Sequence, residues 1–250
     1  QLGREGLVAD RAHEAVDRRR ADRSRAAVGR RREGTAVHHR MRDFDAGRET
    51  VGENAAGLAL EDRQQAAGLL SAQMRLQAAG FRVPSASAGS QLLLLSGASV
   101  GAGGLVSGTA QAIPGAGSGA SPASGNALLW ETNPSGAATA SGHECQGLWV
   151  DPSSKALYLL SAGAGCAPLA SQWNVVTWQR SPLVAPGVSQ VAPVLSVHAG
   201  RSCWPFGAAP TPMTGVAAAS APVEVQLTYQ RSAASLGNQV GTVCLPNFLS

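Results

Sequence analysis

The strongest periodic signal lies at Leu69–Phe81, LLSAQMRLQAAGF. Ala66, Leu69, Leu70, Met74, Ala78 and Phe81 recur at spacings of three and four, which places them on one face of an amphipathic helix. Gly80 suits the left-handed position just past a helix end, and Pro84 bars continuation. Downstream the pattern changes to short runs of strand character. Leu92–Leu95 is a short apolar run, and Ala127–Thr132 (ALLWET) is a strand candidate. Gln146–Val150, a turn at Asp151–Ser154 and Lys155–Leu160 read as a β-hairpin. Asn174–Arg180, Val191–His198 and Val223–Gln230 alternate apolar and polar residues, and Gly241–Leu245 is a last short strand. One helix followed by five to seven short strands predicts an α+β fold, an N-terminal long helix across an antiparallel β-sheet domain.

Segment boundaries follow from the same pattern. Residues 1–50 are a basic segment with no stable apolar face, 51–82 the amphipathic helix, 83–125 a Gly/Ala/Ser-rich loop region, and 126–250 a β-rich globular domain. No signal peptide or membrane span is present as the sequence is written.

Charge divides the chain in the same place. Residues 1–50 hold 13 Arg against 9 acidic residues, whereas beyond Phe81 only nine charged side chains occur. The arginines alternate with Asp and Glu and lack interleaved aromatics, which argues against nucleic-acid binding. The four cysteines, Cys145, Cys166, Cys203 and Cys244, all lie in the second half without a CxxC pair, so zinc spacing is absent. An even number in a loop-rich region predicts two disulfides and an oxidising compartment, with three pairings open and 145–166 with 203–244 the simplest.

Candidate chemistry is sparse. Gly97-Ala98-Ser99-Val100-Gly101 fits G-x-S-x-G, and Asp151 and His198 follow in hydrolase order. A nucleophile elbow needs a strand, this turn and a helix, and the glycine-rich stretch after Gly101 does not supply one. His143, Glu144 and Cys145 would make a metal site only by converging with His198 and Cys203. Glu131, Glu144, Asp151 and Glu224 are isolated in sequence, giving little support to paired carboxylate chemistry. Trp149 and Trp178 sit in strand patterns and are expected in the core, whereas Trp173 and Trp204 are the surface candidates for interaction. No catalytic residue, cofactor or metal is expected.

Several short motifs, taken in order, carry a family resemblance. Leu76-Gln77-Ala78-Ala79-Gly80-Phe81 resembles the L-R-x-A-G-[YF] run that ends the N-terminal helix of PilW-type minor pilins of type IV pili, with Gln77 departing from the usual Arg. Asn126-Ala127-Leu128, Cys145-Gln146-Gly147, Cys166 and Pro182-Leu183-Val184 resemble the strand, the cysteine–glycine pair, the second cysteine and the apolar run that follow in that family. The likeness covers roughly residues 55–190. It implies a pilin-like structural subunit acting in pilus assembly or a tip complex by helix packing and β-domain contacts, not an enzyme. Its partners would be other minor pilins, the major pilin and, through an N-terminal helix, the bacterial inner membrane. The compartment implied is the inner membrane, periplasm and cell-surface pilus. A J-type pseudopilin of type II secretion shares these expectations. The alternative from another class is a secreted binding or serine hydrolase domain using Ser99.

The resemblance also offers a reading of residues 1–50. Codons for Arg4–Glu14, read one base later, permit [K/R]-G-W-S-L-I-E-L-M, which is similar to the prepilin cleavage and methylation motif. Residues 15–32 then permit an unbroken apolar run of about 18, a membrane-helix length. The expectation is that residues 1 to roughly 45 are an out-of-frame translation of a prepilin N terminus.

Overall fold

Leucine-rich and β-branched segments downstream of one long helix build two antiparallel sheets, so the chain is α+β. The computed structural model describes residues 38–114, 121–199, 223–230 and 237–248, with side chains from 57 onward and excluding that of residue 199. The chain divides into two units, Gln1–Gly52 and Glu53–Ser250.

Helix α1 spans His38–Gln77 and passes through turns to Arg82. Gly80 ends it at φ 72°, the left-handed conformation its place in the sequence predicts. The terminus is tied down by three bonds. The Gly80 N–H donates to the Glu131 carbonyl at 2.9 Å, the Asn133 N–H to the Phe81 carbonyl at 2.9 Å, and Asn247 Nδ2 to the Ala79 carbonyl at 2.9 Å. These bonds supply partners that a helix end otherwise lacks.

The face that docks is not the expected one. Leu69, Ala72, Leu76, Ala79 and Val83 are buried, with Gln65 and Gly68 on the same side, while Ala66, Leu70, Met74, Ala78 and Phe81 are exposed. Close approach explains the difference. A Cβ on Gly68 would collide with the Leu183 carbonyl and the Val184 side chain. Small residues at 68, 72 and 79 let the helix sit close against a strand, which bulky residues on that side would prevent.

The first sheet has the order β2-β1-β4-β5-β6-β7, formed by β1 (Leu92–Val100), β2 (Val106–Gln111), β4 (Ala127–Thr132), β5 (Glu144–Val150), β6 (Leu157–Ala162) and β7 (Gln179–Val184). The second has the order β10-β9-β8-β3, formed by β3 (Ala123–Gly125), β8 (Val194–Ala199), β9 (Val223–Gln230) and β10 (Asn238–Leu245). Every pairing is antiparallel. The single sheet of five to seven strands is thus corrected to two sheets with ten strands among the described residues. The loop region 83–125 is corrected likewise, since it holds β1, β2 and β3. β2 is an edge strand exposed at most positions, so its Ser, Gly and Thr residues carry no apolar alternation. The strand expected at Asn174–Arg180 begins only at Gln179, because the short helix α2 (Leu169–Gln172) and a turn precede it.

Two cores result. One lies between α1 and both sheets and contains Leu76, Leu92, Leu94, Leu128, Trp130, Leu148, Leu195, Val225, Leu227, Leu245 and Phe248. The other covers the opposite face of the first sheet and contains Leu93, Leu95, Leu129, Trp149, Leu160, Leu169 and Trp178. β4, covered on both faces, is buried at all six positions, which is why ALLWET reads as a run without alternation.

Candidate interaction surface

The face of α1 opposite its docked side carries an apolar stripe. Leu60, Ala67 and Met74 follow at intervals of seven, and Leu70 lies between the last two on the same side. Leu60 is 58% exposed, Leu70 58%, Met74 56% and Phe81 44%. Leu60, Leu70 and Met74 recur on one helix face, with Phe81 in the turn beyond it, whereas singly scattered surface apolar residues need no explanation. Beside the stripe runs a groove of about 400 Å³, lined by Gln64, Ala67, Gly68 and Ser71 of α1 and by Pro182, Leu183 and Ala185 at β7. The groove exists because Gly68 brings the helix against an edge strand of the first sheet.

Arg63, Arg75 and Arg82 are the charged residues between positions 63 and 82, and no carboxylate occurs in that interval. All three are exposed, and none forms an ion pair among the described residues. The Arg82 guanidinium lies 5.2 Å from the centre of the Phe81 ring.

The cysteine expectation is met where it can be followed. Cys145 and Cys166 form a disulfide that joins β5 to the segment before α2. Cys244 is also disulfide-bonded, and Cys203 lies outside the described residues. Of the two tryptophans assigned to the surface, Trp173 is half-buried against the second core, and its carbonyl accepts the Trp178 Nε1–H at 2.8 Å. Trp204 lies outside the described residues. Trp149 and Trp178 are buried as expected.

The Ser99 constellation is not assembled. Ser99 lies inside β1, which turns into β2 rather than into a helix, and its hydroxyl pairs with that of Ser107 at 2.8 Å. His198 stands in the other sheet opposite Glu224. Asp151 accepts from the hydroxyls of Ser153 at 2.8 Å and Ser154 at 2.6 Å. Partial burial pushes the Asp151 carboxyl up, but these hydroxyls and the backbone N–H groups of Ser153 and Ser154 outweigh it and hold the carboxyl below its ordinary value. Among the described residues no group of His, Cys, Asp and Glu could hold a metal ion.

One polar cluster escaped the sequence reading. Glu131 is buried in β4, with Oε2 3.1 Å from His143 Nδ1 and Oε1 accepting the Leu169 N–H at 2.7 Å. It fixes the start of α2 over the second core. Twelve positions separate Glu131 from His143, so only the β4–β5 pairing brings them together.

No family model matches this chain, nor does any curated protein or solved structure. Among the described residues no helix is long and apolar enough to cross a membrane.

Proposed function

We propose that the protein is a structural, minor pilin-like subunit of a type IV pilus assembly that works by helix packing and β-domain contacts. One observation carries the reading. α1 commits one face to the β-domain and keeps the opposite face apolar and exposed, which leaves Leu60, Leu70 and Met74 available to a neighbouring subunit. A helix that served only the internal core would gain solubility from polar residues on that side. The ordered motifs support the same reading. Leu76–Phe81 forms the anchored helix end, and the cysteine pair 145–166 braces the domain.

In this reading the partners are other minor pilins and the major pilin, and an N-terminal helix holds the subunit in the inner membrane. The β-domain is a docking head and no catalytic step belongs to it. A J-type pseudopilin would use the same helix face and differs in the assembly it joins.

The test is co-purification with candidate minor pilins or pseudopilins from cells carrying the gene. Replacing Leu70 and Met74 by Glu is expected to abolish co-purification while leaving the circular dichroism and melting of the β-domain unchanged. Retention of the partners in that variant would remove the reading.

A further inference from the structure

We propose that the exposed face of α1 receives an acidic amphipathic helix of a partner protein. The inference rests on the reading above, that this face packs against a neighbouring helix, and adds the chemistry of that neighbour.

Charge complementarity carries it. From 63 to 82 the helix and its terminal turns present three arginines and no carboxylate, and the two carboxylates of the stripe's span, Glu61 and Asp62, sit together at its Leu60 end. Arg63 lies between Leu60 and Ala67 on the stripe, since three and four residues separate it from them. Arg75 follows Met74 on the flank, and Arg82 closes the far end over Phe81. Apolar side chains interleaved with unpaired cations are best covered by a helix whose own apolar seam is flanked by Glu or Asp. A parallel second copy of this helix would set Arg63 against Arg63, and like charges brought together are destabilising. An anionic bilayer is the poorer match, because three cations spread over about five helical turns fall short of the clusters of roughly four to eight that hold a segment at a lipid surface.

The experiment uses the full chain and two labelled synthetic peptides of about three heptads. Both carry the same leucine seam, one flanked by Glu and the other by Lys, and binding is read by fluorescence anisotropy. The Glu peptide is expected to bind about ten-fold tighter or more, the sum expected of a few exposed ion pairs. The gap should close at about 1 M salt, where the screening length falls to about 3 Å. It should also close in the variant Arg63→Gln, Arg75→Gln, Arg82→Asn. Asn is chosen at 82 because that residue sits at φ 53°. Leu70→Ser with Met74→Ser should weaken both peptides.

Equal binding of the two peptides, no binding of the Glu peptide, or binding of phosphatidylglycerol vesicles in preference to it would overturn the proposal. So would sedimentation as a dimer that Met74→Glu dissolves. Co-purification with minor pilins that survives the triple arginine variant would sink this inference alone and leave the pilin reading standing.

Discussion

The side-chain amide of Asn126 pairs with the backbone of Ala98 on both its edges. Oδ1 accepts the Ala98 N–H at 2.7 Å, and Nδ2 donates to the Ala98 carbonyl at 2.8 Å. Nδ2 also donates to the Val150 carbonyl at 3.1 Å. The Ala98 N–H is a fixed donor, so the amide orientation is settled by its partners. Ala98 lies within the irregular stretch of β1 between Ser96 and Ser99, where the pairing with β2 shifts register. Asn126 is also the residue between β3 and β4, where the chain leaves one sheet for the other. One amide therefore supplies hydrogen bonds that the bulge would otherwise lack, at the junction of both sheets.

Asn126→Ala is expected to destabilise the protein by about 1–3 kcal/mol, since it takes the acceptor from the Ala98 N–H and one donor each from the Ala98 and Val150 carbonyls, the Ala98 carbonyl keeping the Trp149 Nε1–H at 3.1 Å. Asn126→Asp keeps the acceptor but turns an oxygen toward two carbonyls, so its loss at neutral pH should be at least as large. Chemical denaturation of the three proteins checks both, and an Asp variant as stable as the parent would contradict this account.

Gly68 offers a sharper test of helix docking. Its missing Cβ is the space occupied by the Leu183 carbonyl and the Val184 side chain, and the Leu183 carbonyl is backbone at the register shift of β7, held by paired residues on either side. Gly68→Val should force α1 away from β7 and cost about 3 kcal/mol or more, in the range of overpacked cores. Gly57→Val, at a helical position with open space around it, should leave stability unchanged or raise it by a few tenths of a kcal/mol, roughly the helix-propensity gap between the two residues. Thermal melts of the pair separate packing from propensity.

Much of the β-domain was legible because its strands bury what alternation reveals. Val223–Gln230 forms β9 with the expected bounds, and Ala127–Thr132 forms β4. The helix face was misread for a physical reason. Periodicity finds the larger apolar residues, Leu70, Met74 and Phe81, whereas the buried side is built from Gly68, Ala72 and Ala79 around Leu69 and Leu76. An apolar stripe does not say whether it faces its own domain or a partner. β2 was missed because an edge strand of Ser, Thr and Gly needs no burial to pair with β1. Glu131 and His143 could not be paired without the β4–β5 register.

The Asp151 turn predicts an acid-side loss of stability. Its carboxyl sits below the ordinary value of 3.8, the hydroxyls and N–H groups of Ser153 and Ser154 overcoming the effect of partial burial. A depressed folded-state value means the contribution is present above the unfolded-state value and is lost as pH falls through the folded one. The stability difference between the parent and Asp151→Asn should therefore be constant above about pH 5 and shrink below 3.8. A difference that grows on acidification would show that the turn does not hold the charged form.

The encoding DNA gives a test independent of the fold. Read one base later across Arg4–Glu14, it is expected to spell [K/R]-G-W-S-L-I-E-L-M and then to run apolar through residues 15–32. Those residues lie outside the described ones, so only the nucleotides decide. A stop codon in the shifted frame, or any other peptide, ends the frame explanation.

The Cys145–Cys166 bridge closes a segment of sequence separation 21 that contains the β5–β6 hairpin. In the chain-entropy view such a loop is worth about 3 kcal/mol. Both sulfurs belong to the second core, where Cys145 is fully buried and Cys166 nearly so. Two consequences differ in kind. The double variant Cys145→Ala, Cys166→Ala should melt roughly 6–12 °C lower, from the loop term and the size of the chain. The native protein, by contrast, should resist a small-molecule reductant, because the thiolate must reach a sulfur that solvent does not touch. Alkylation followed by mass measurement should detect few thiols from this pair until denaturant is added, and many afterwards. Rapid labelling of Cys145 and Cys166 in the folded protein would mean that the segment before α2 opens readily. Glu131, whose Oε1 accepts the Leu169 N–H, would then be the next position to alter, since it holds the same segment down from the β4 side.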